Sequence, residues 1–187
     1  MIVERLAIPE VLLFKPRLFR DDRGHFLETW RASEYSAHGV GPFVQDNVSV
    51  SHRNVLRGLH FQHPGGQGKL VNALRGRVFD VAVDVRFGSP TFGKWIGAEL
   101  SDETGYQLYV PPGFAHGFVA LSHEAVVGYK CSEYYAPESE LTVRWDDPAI
   151  AIDWPCATPL LAQKDAEAPA LADIARDLLP AYTKPSG

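Results

Sequence analysis

Short hydrophobic runs broken by glycine, proline, asparagine and aspartate dominate this chain, and no long helical period competes with them. Punctuation of that kind favours strands joined by turns. The clearest run covers residues 77–85, where Phe79, Val81, Val83 and Val85 share one face and Asp80, Ala82 and Asp84 the other. Gly76 and the Phe87-Gly88-Ser89-Pro90 stretch bound it as turns. The same reading predicts strands at 45–50, 55–61, 95–100, 107–110, 118–121, 125–129 and 141–145. Two helices are expected. One covers 30–38 and is closed by Gly39; the other covers 168–179, with Leu171, Ile174, Leu178 and Leu179 on one stripe. Eight or more short strands specify an all-β jelly roll or related barrel with short flanking helices, whose mouth is the place for a ligand.

The 187 residues hold no repeat and no low-complexity linker, so a single domain over 1–187 is expected. A formal net charge of −5 offers no global positive field. Binding to a nucleic-acid polymer is therefore not expected, and any anion site must be a local pocket. Cys131 and Cys156 form no CxxC, which fits a reducing compartment. Residues 1–6 lack the charged-then-apolar pattern of a secretory signal, and no apolar run approaches a membrane span. The expectation is a cytoplasmic protein with no membrane partner.

Two motif matches carry nothing. Gly66-Gln-Gly-Lys-Leu70 echoes a phosphate-binding loop, but His63 stands where the first glycine belongs and Leu70 where a hydroxyl should meet magnesium. Asn47-Val-Ser49 matches a glycosylation sequon without any sign of secretion. Pro111-Pro-Gly-Phe-Ala-His116 is more telling, because it resembles the second motif of the cupins, where the histidine points into a double-stranded β-helix. Metal cupins add a His-x-His and a carboxylate. Here that region reads His60-Phe-Gln62, followed by Lys69, and neutral glutamine beside a fixed ammonium makes poor company for a divalent cation. No metal is expected.

Arg57, His60, His63 and Lys69 lie close together in sequence, and His116 can approach across a barrel. A histidine among cations suits removal of a proton next to a carbonyl, the cation stabilising the enolate oxygen. The plain alternative is solvated cations and packed histidines. Strand parity also separates Arg57 from His60, so a bulge at Gly58 is needed to turn both inward.

Beyond these fragments, long blocks resemble the dTDP-4-dehydrorhamnose 3,5-epimerase family. They are Asn47-Val-Ser-Val-Ser51, Asn54-Val-Leu-Arg-Gly-Leu-His-Phe-Gln62, Gln67-Gly-Lys-Leu-Val71 and Phe79-Asp-Val-Ala-Val-Asp-Val-Arg86. Ser89-Pro-Thr-Phe-Gly93, Pro112-Gly-Phe-Ala-His-Gly-Phe118 and Trp145-Asp-Asp-Pro148 follow in order. Phe19-Arg-Asp-Asp-Arg-Gly24 near the start and Gln163-Lys-Asp165 near the end complete them.

The resemblance implies a cofactor-free sugar-nucleotide epimerase, built as a jelly-roll homodimer. Its substrate is dTDP-4-dehydro-6-deoxy-D-glucose, a 4-keto-6-deoxyhexose, inverted at C3 and C5 toward dTDP-L-rhamnose. It places the general base on His60, its orienting carboxylate on Asp165, the enolate-stabilising cation on Lys69 and the acid on Tyr129. A histidine is a free base near neutral pH while a tyrosine still holds its proton, which is why two residue types serve the two faces of the ring. The same likeness puts Arg23, Arg57, His116 and Lys164 near diphosphate or sugar, and Tyr135 against thymine. Gln45, Asp46, Asn47, Glu28 and Glu140 match further contact positions, and the Arg23–Glu28 region reaches into the partner's site. Three alternatives stay open: an epimerase acting at C3 only or C5 only, a metal-dependent cupin enzyme using His60, His63 and His116, and a non-catalytic sugar-nucleotide binder.

Overall fold

The computed structural model describes residues 1–184. Its strands are β1 (Ile2–Arg5), β2 (Leu12–Lys15), β3 (Leu18–Asp21), β4 (Gly24–Leu27), β5 (Gln45–His52), β6 (Leu56–Gln62) and β7 (Lys69–Arg75). There follow β8 (Arg77–Asp84), β9 (Trp95–Ser101), β10 (Gln107–Val110), β11 (Phe114–Ala120), β12 (Glu124–Cys131) and β13 (Glu140–Thr142). Two short helices, α1 (Ala32–Ser36) and α2 (Gln163–Ala166), flank them. One sheet runs β1-β2-β10-β7-β12-β5 and the other β13-β6-β11-β8-β9, with β3-β4 a separate hairpin. Ladder pairs are antiparallel throughout these sheets. From β5 to β8 and again from β10 to β13 the chain alternates between the two sheets, the cupin-like jelly roll that the strand count requires.

The inner faces of both sheets meet in one core, where Leu13, Val71, Ala73 and Val127 pack against Val78, Ala82, Leu100 and Phe118. Burying each such side chain contributes about 1.5–3 kcal/mol. The two outer faces are covered in part as well. Chain from β13 onward lays Val143, Ile150, Leu171, Ile174 and Leu179 over Leu59, Val81, Val83 and Ala115. The α1 segment sets Tyr35 and Val40 on Leu12, Phe14 and Leu70. This double cover explains β8: its valine face lies under the C-terminal segment, while Asp80 and Asp84, on the face that meets the barrel core, are fully buried.

Strand expectations hold with shifted ends. The run expected at 118–121 begins at Phe114, and that expected at 141–145 shrinks to Glu140–Thr142. The helix expected over 168–179 is absent. Two 3₁₀ turns, Leu171–Asp173 and Arg176–Leu178, take its place, separated by Ile174 and Ala175 in extended backbone. Such turns repeat at i+3 and so serve the same apolar spacing; Leu171, Ile174 and Leu179 are buried but Leu178 is exposed. The first expected helix is real but shorter, and Trp30 lies ahead of it, packed against Tyr35 and edge-to-face with Phe43.

Candidate active site

His116 on β11 pairs with His60 on β6, but the next pair is Phe118 with Arg57. Gly58 and Leu59 therefore share the space opposite Gly117, and the extra residue is the bulge that strand parity demanded. Gly58 has φ +129°, and a Cβ there would lie 2.6 Å from the Gly117 Cα and 2.8 Å from the His116 carbonyl oxygen. Glycine is required on both counts. The bulge lets Leu59 enter the outer core while Arg57 and His60 both face a cavity of about 540 Å³ at the barrel mouth.

Asp165 approaches this bulge from α2. Its Oδ1 lies 2.7 Å from His60 Nε2, and the Gly58 N–H donates to its Oδ2 at 3.3 Å. Burial works against the charge on Asp165, but the His60 ring, the Gly58 N–H and nearby Lys164 outweigh it and hold the carboxyl below its ordinary range. An ionised carboxylate only accepts, so Nε2 carries the ring proton that meets Asp165, and the lone pair of the base form of His60 falls on Nδ1. The pair thus prepares a base.

Lys69 (β7) and Tyr129 (β12) line the same cavity. Burial pushes the Lys69 ammonium below the usual lysine range, with Cys131, Glu140 and Asp80 partly offsetting it. Burial also raises the Tyr129 phenol, which therefore keeps its proton at neutral pH. Tyr129 sits directly across from Asn47 on β5. Asn47 accepts from Gln45 Nε2 at 3.2 Å, and Gln45 Oε1 accepts the Tyr135 N–H at 2.9 Å. At the rim, Glu140 Oε2 accepts from Lys164 Nζ at 2.8 Å and from the Tyr135 hydroxyl at 3.3 Å. Those bonds and the Lys164 charge hold Glu140 ionised despite its partial burial.

The cavity thus gathers His60, Lys69, Tyr129, Asp165, Gln45, Asn47, Arg57, His116, Tyr135, Glu140 and Lys164. Three expected residues are not brought in. Asp46 falls on the outer side of β5, as alternation with Gln45 and Asn47 requires, and pairs with Lys130 at 2.9 Å. Arg23 sits at the exposed β3-β4 turn, paired with Asp21 at 2.6 Å, and Glu28 pairs with Arg31 at 2.7 Å. His63 does not line the cavity either. Sequence reasoning missed Ser49, which the period of two from Gln45 and Asn47 would have given, and the wall formed by Leu160, Leu161 and Ala162, for which no local signal exists. It also missed Asp80 behind His116.

A base and a proton-holding acid beside a buried cation form the equipment for moving protons next to a carbonyl. Residues 5–173 match the family model described as dTDP-4-dehydrorhamnose 3,5-epimerase. The chain belongs to this family. The dTDP-4-dehydrorhamnose 3,5-epimerase of Pseudomonas aeruginosa is 54% identical over 176 residues, covering 92% of this chain and 97% of its own. The crystal structure of dTDP-6-deoxy-D-glucose-3,5-epimerase from Legionella pneumophila, in complex with dTDP-4-keto-L-rhamnose, superimposes with a TM-score of 0.95 at 48% identity. That match covers 98% of this chain and 99% of the other. A narrower relative is similar too: the dTDP-4-dehydrorhamnose 3-epimerase of Streptomyces niveus is 44% identical over 97% of this chain and 90% of its own.

Family membership gives the barrel its chemical context. Among the described residues no group of three or more histidine, cysteine or carboxylate side chains is placed to hold a metal ion, and no helix is long and apolar enough to cross a membrane.

Proposed function

We propose that this chain inverts C3 and C5 of dTDP-4-dehydro-6-deoxy-D-glucose to give dTDP-4-dehydro-L-rhamnose, a step toward dTDP-L-rhamnose, using only its own side chains. The observation that carries the reading is the convergence of the His60–Asp165 pair, Lys69 and Tyr129 on one cavity. His60 takes the proton from a carbon next to the C4 ketone. The electron pair moves onto the C4 oxygen, where the buried Lys69 ammonium stabilises it. The imidazolium so formed is stabilised by Asp165. Tyr129 returns a proton to the opposite face of the same carbon, and solvent restores both groups before the second carbon reacts.

The remaining cavity residues bind. Arg57, His116 and Lys164 offer cationic donors to the diphosphate and sugar oxygens. Half-exposed Tyr135 offers a stacking face to thymine, while Gln45, Asn47 and Glu140 supply polar contacts. Arg23 and Glu28 act in the site of a second copy, across a homodimer. Both stand exposed, away from this chain's own cavity, and the apolar side chains Val48, Val50 and Leu74 stand exposed on β5 and β7. A nucleotide-sugar substrate supports the reading of a cytoplasmic enzyme.

The 44% identity to a 3-epimerase keeps one narrower reading, inversion at C3 alone. Incubating the protein with the 4-keto sugar nucleotide in deuterated water, followed by NMR, separates the two. Label is expected at both C3 and C5; label at one carbon only overturns the two-centre reading, and label at neither overturns epimerisation altogether.

A further inference from the structure

Residues 132–136 join β12 to the 3₁₀ turn Pro137–Ser139 without helix or strand, and they carry Tyr135, the exposed aromatic at the cavity rim. An irregular surface segment is held only as well as its peptide groups are bonded. Here the bonds come from three glutamine side chains at three places in the fold. Gln67, between β6 and β7, donates from Nε2 to the Glu133 carbonyl at 2.8 Å. Gln62, at the end of β6, donates from Nε2 to the Tyr134 carbonyl at 3.3 Å, and its Oε1 accepts the Ala136 N–H at 3.0 Å. Gln45 on β5 takes the Tyr135 N–H between them. Four successive residues are each met by a side-chain amide.

Gln62 is the centre of this arrangement. It is buried, and Nε2 also donates to the Gly65 carbonyl at 3.0 Å, so both N–H groups and the carbonyl of its amide are engaged by backbone. Turning that amide over would set N–H against the Ala136 N–H and oxygen against two carbonyls, so a single orientation satisfies the site. Gln62 lies two residues beyond His60, on the same side of β6. It stands directly across the ladder from Glu140, whose Oε2 accepts from the Tyr135 hydroxyl. One cross-strand pair therefore holds both the backbone around Tyr135 and the far end of its ring. The Gln62 side chain does not line the cavity, so it acts on a ligand only through the segment it holds.

We infer that Gln62 and Gln67 are positioning residues for nucleotide recognition. They fix residues 133–136 before the ligand arrives, so Tyr135 meets thymine without first having to be ordered. The inference rests on the proposed placement of thymine against Tyr135. Its effect is confined to the base, because the cations offered to the diphosphate, Arg57, His116 and Lys164, all lie outside the clamped segment.

Calorimetry on the whole chain, with dTDP and with inorganic pyrophosphate as probes, tests this. Gln62→Met keeps the length of the side chain and loses every amide bond. It is expected to weaken dTDP about 5- to 10-fold and to leave pyrophosphate within about twofold. KM for the 4-keto sugar nucleotide is expected to rise by the dTDP factor, with kcat held within about twofold. Tyr135→Ala alone is expected to weaken dTDP about tenfold, and adding Gln62→Met to it is expected to cost nothing more. Unchanged dTDP affinity in Gln62→Met overturns the inference. An equal loss for pyrophosphate, a fall in kcat, or a loss that persists beside Tyr135→Ala overturns it too, since each marks a general distortion of the barrel. If Gln62→Met does not fold, Gln67→Met, which removes one partly exposed bond, is read through the same cycle. Tyr135→Ala binding dTDP as tightly as wild type would overturn the inference through its premise, the thymine placement. Wild type that binds no dTDP would refute the sugar-nucleotide reading itself.

Discussion

Replacing Asp165 by asparagine removes one charge and no volume, yet the surrounding geometry makes the change severe. The Gly58 N–H donates to Oδ2 at 3.3 Å, so that position demands an acceptor. An asparagine satisfying it with its carbonyl turns its NH₂ toward His60 Nε2, 2.7 Å from Oδ1 in the native pair. Nε2 must then accept, the ring proton moves to Nδ1, and the lone pair that takes the substrate proton is gone. The opposite rotamer keeps the tautomer only by facing one N–H with another, and it still leaves the imidazolium without a counter-charge. Either way kcat is expected to fall about 10³- to 10⁴-fold, the loss typical when a base is held in the wrong tautomer. That is about 4–5.5 kcal/mol of barrier. The folding cost is smaller, about 1.5–3 kcal/mol for one charge-assisted hydrogen bond. Single-turnover deuterium uptake at C3 and C5, with thermal melting of the same sample, separates the two effects. A folded Asp165→Asn protein within tenfold of wild-type uptake would refute the tautomer argument. In addition, His60→Ala combined with Asp165→Asn is expected to be no slower than His60→Ala alone, because the two act as a unit.

Two further outcomes follow from the same geometry. Gly58→Ala puts a methyl group 2.6 Å from the Gly117 Cα on a backbone of φ +129°, so a stability loss of about 3 kcal/mol or more is expected in denaturant titration, with uptake lost even in protein that stays folded. Lys69 is held below the ordinary lysine range by burial, so kcat is expected to decline as pH rises through that lowered value, before free lysine (about 10.4) would titrate. Over the same window the unfolded chain binds the proton that the folded one has shed, so wild-type stability measured against Lys69→Met is expected to rise with pH. A difference that falls instead would mean that the ammonium is not desolvated.

How far such a site can be read from sequence depends on where each residue gets its direction. Gln45, Asn47 and Tyr129 lie on strands whose alternation is regular, and their inward aim follows from a period of two. β7 escaped notice because Leu70, Val71 and Ala73 are all buried, both of its faces being covered, and alternation vanishes. β1 to β4 are four residues each and largely exposed apart from β2, too little pattern to register. In β8 the alternation was plain, but it could not say that the valine face would lie beneath a C-terminal segment, which is why Asp80 was not seen as the residue behind His116. Asp165 had no local signal at all: it lies 105 residues beyond His60 on a four-residue helix. Only likeness to a family proposed it, and the fold supplies the reason it arrives. Leu160 bonds to Asn54 and Leu56 at the start of β6, which pins the chain just ahead of α2 beside the bulge. Gly58 then acts twice. Its bulge turns His60 toward the cavity, and its N–H, directed out of the ladder, receives the carboxylate that the proposed mechanism uses to prepare His60 as a base. The proposed base and its orienting carboxylate are therefore set by the same backbone irregularity, and a strand without it would present neither.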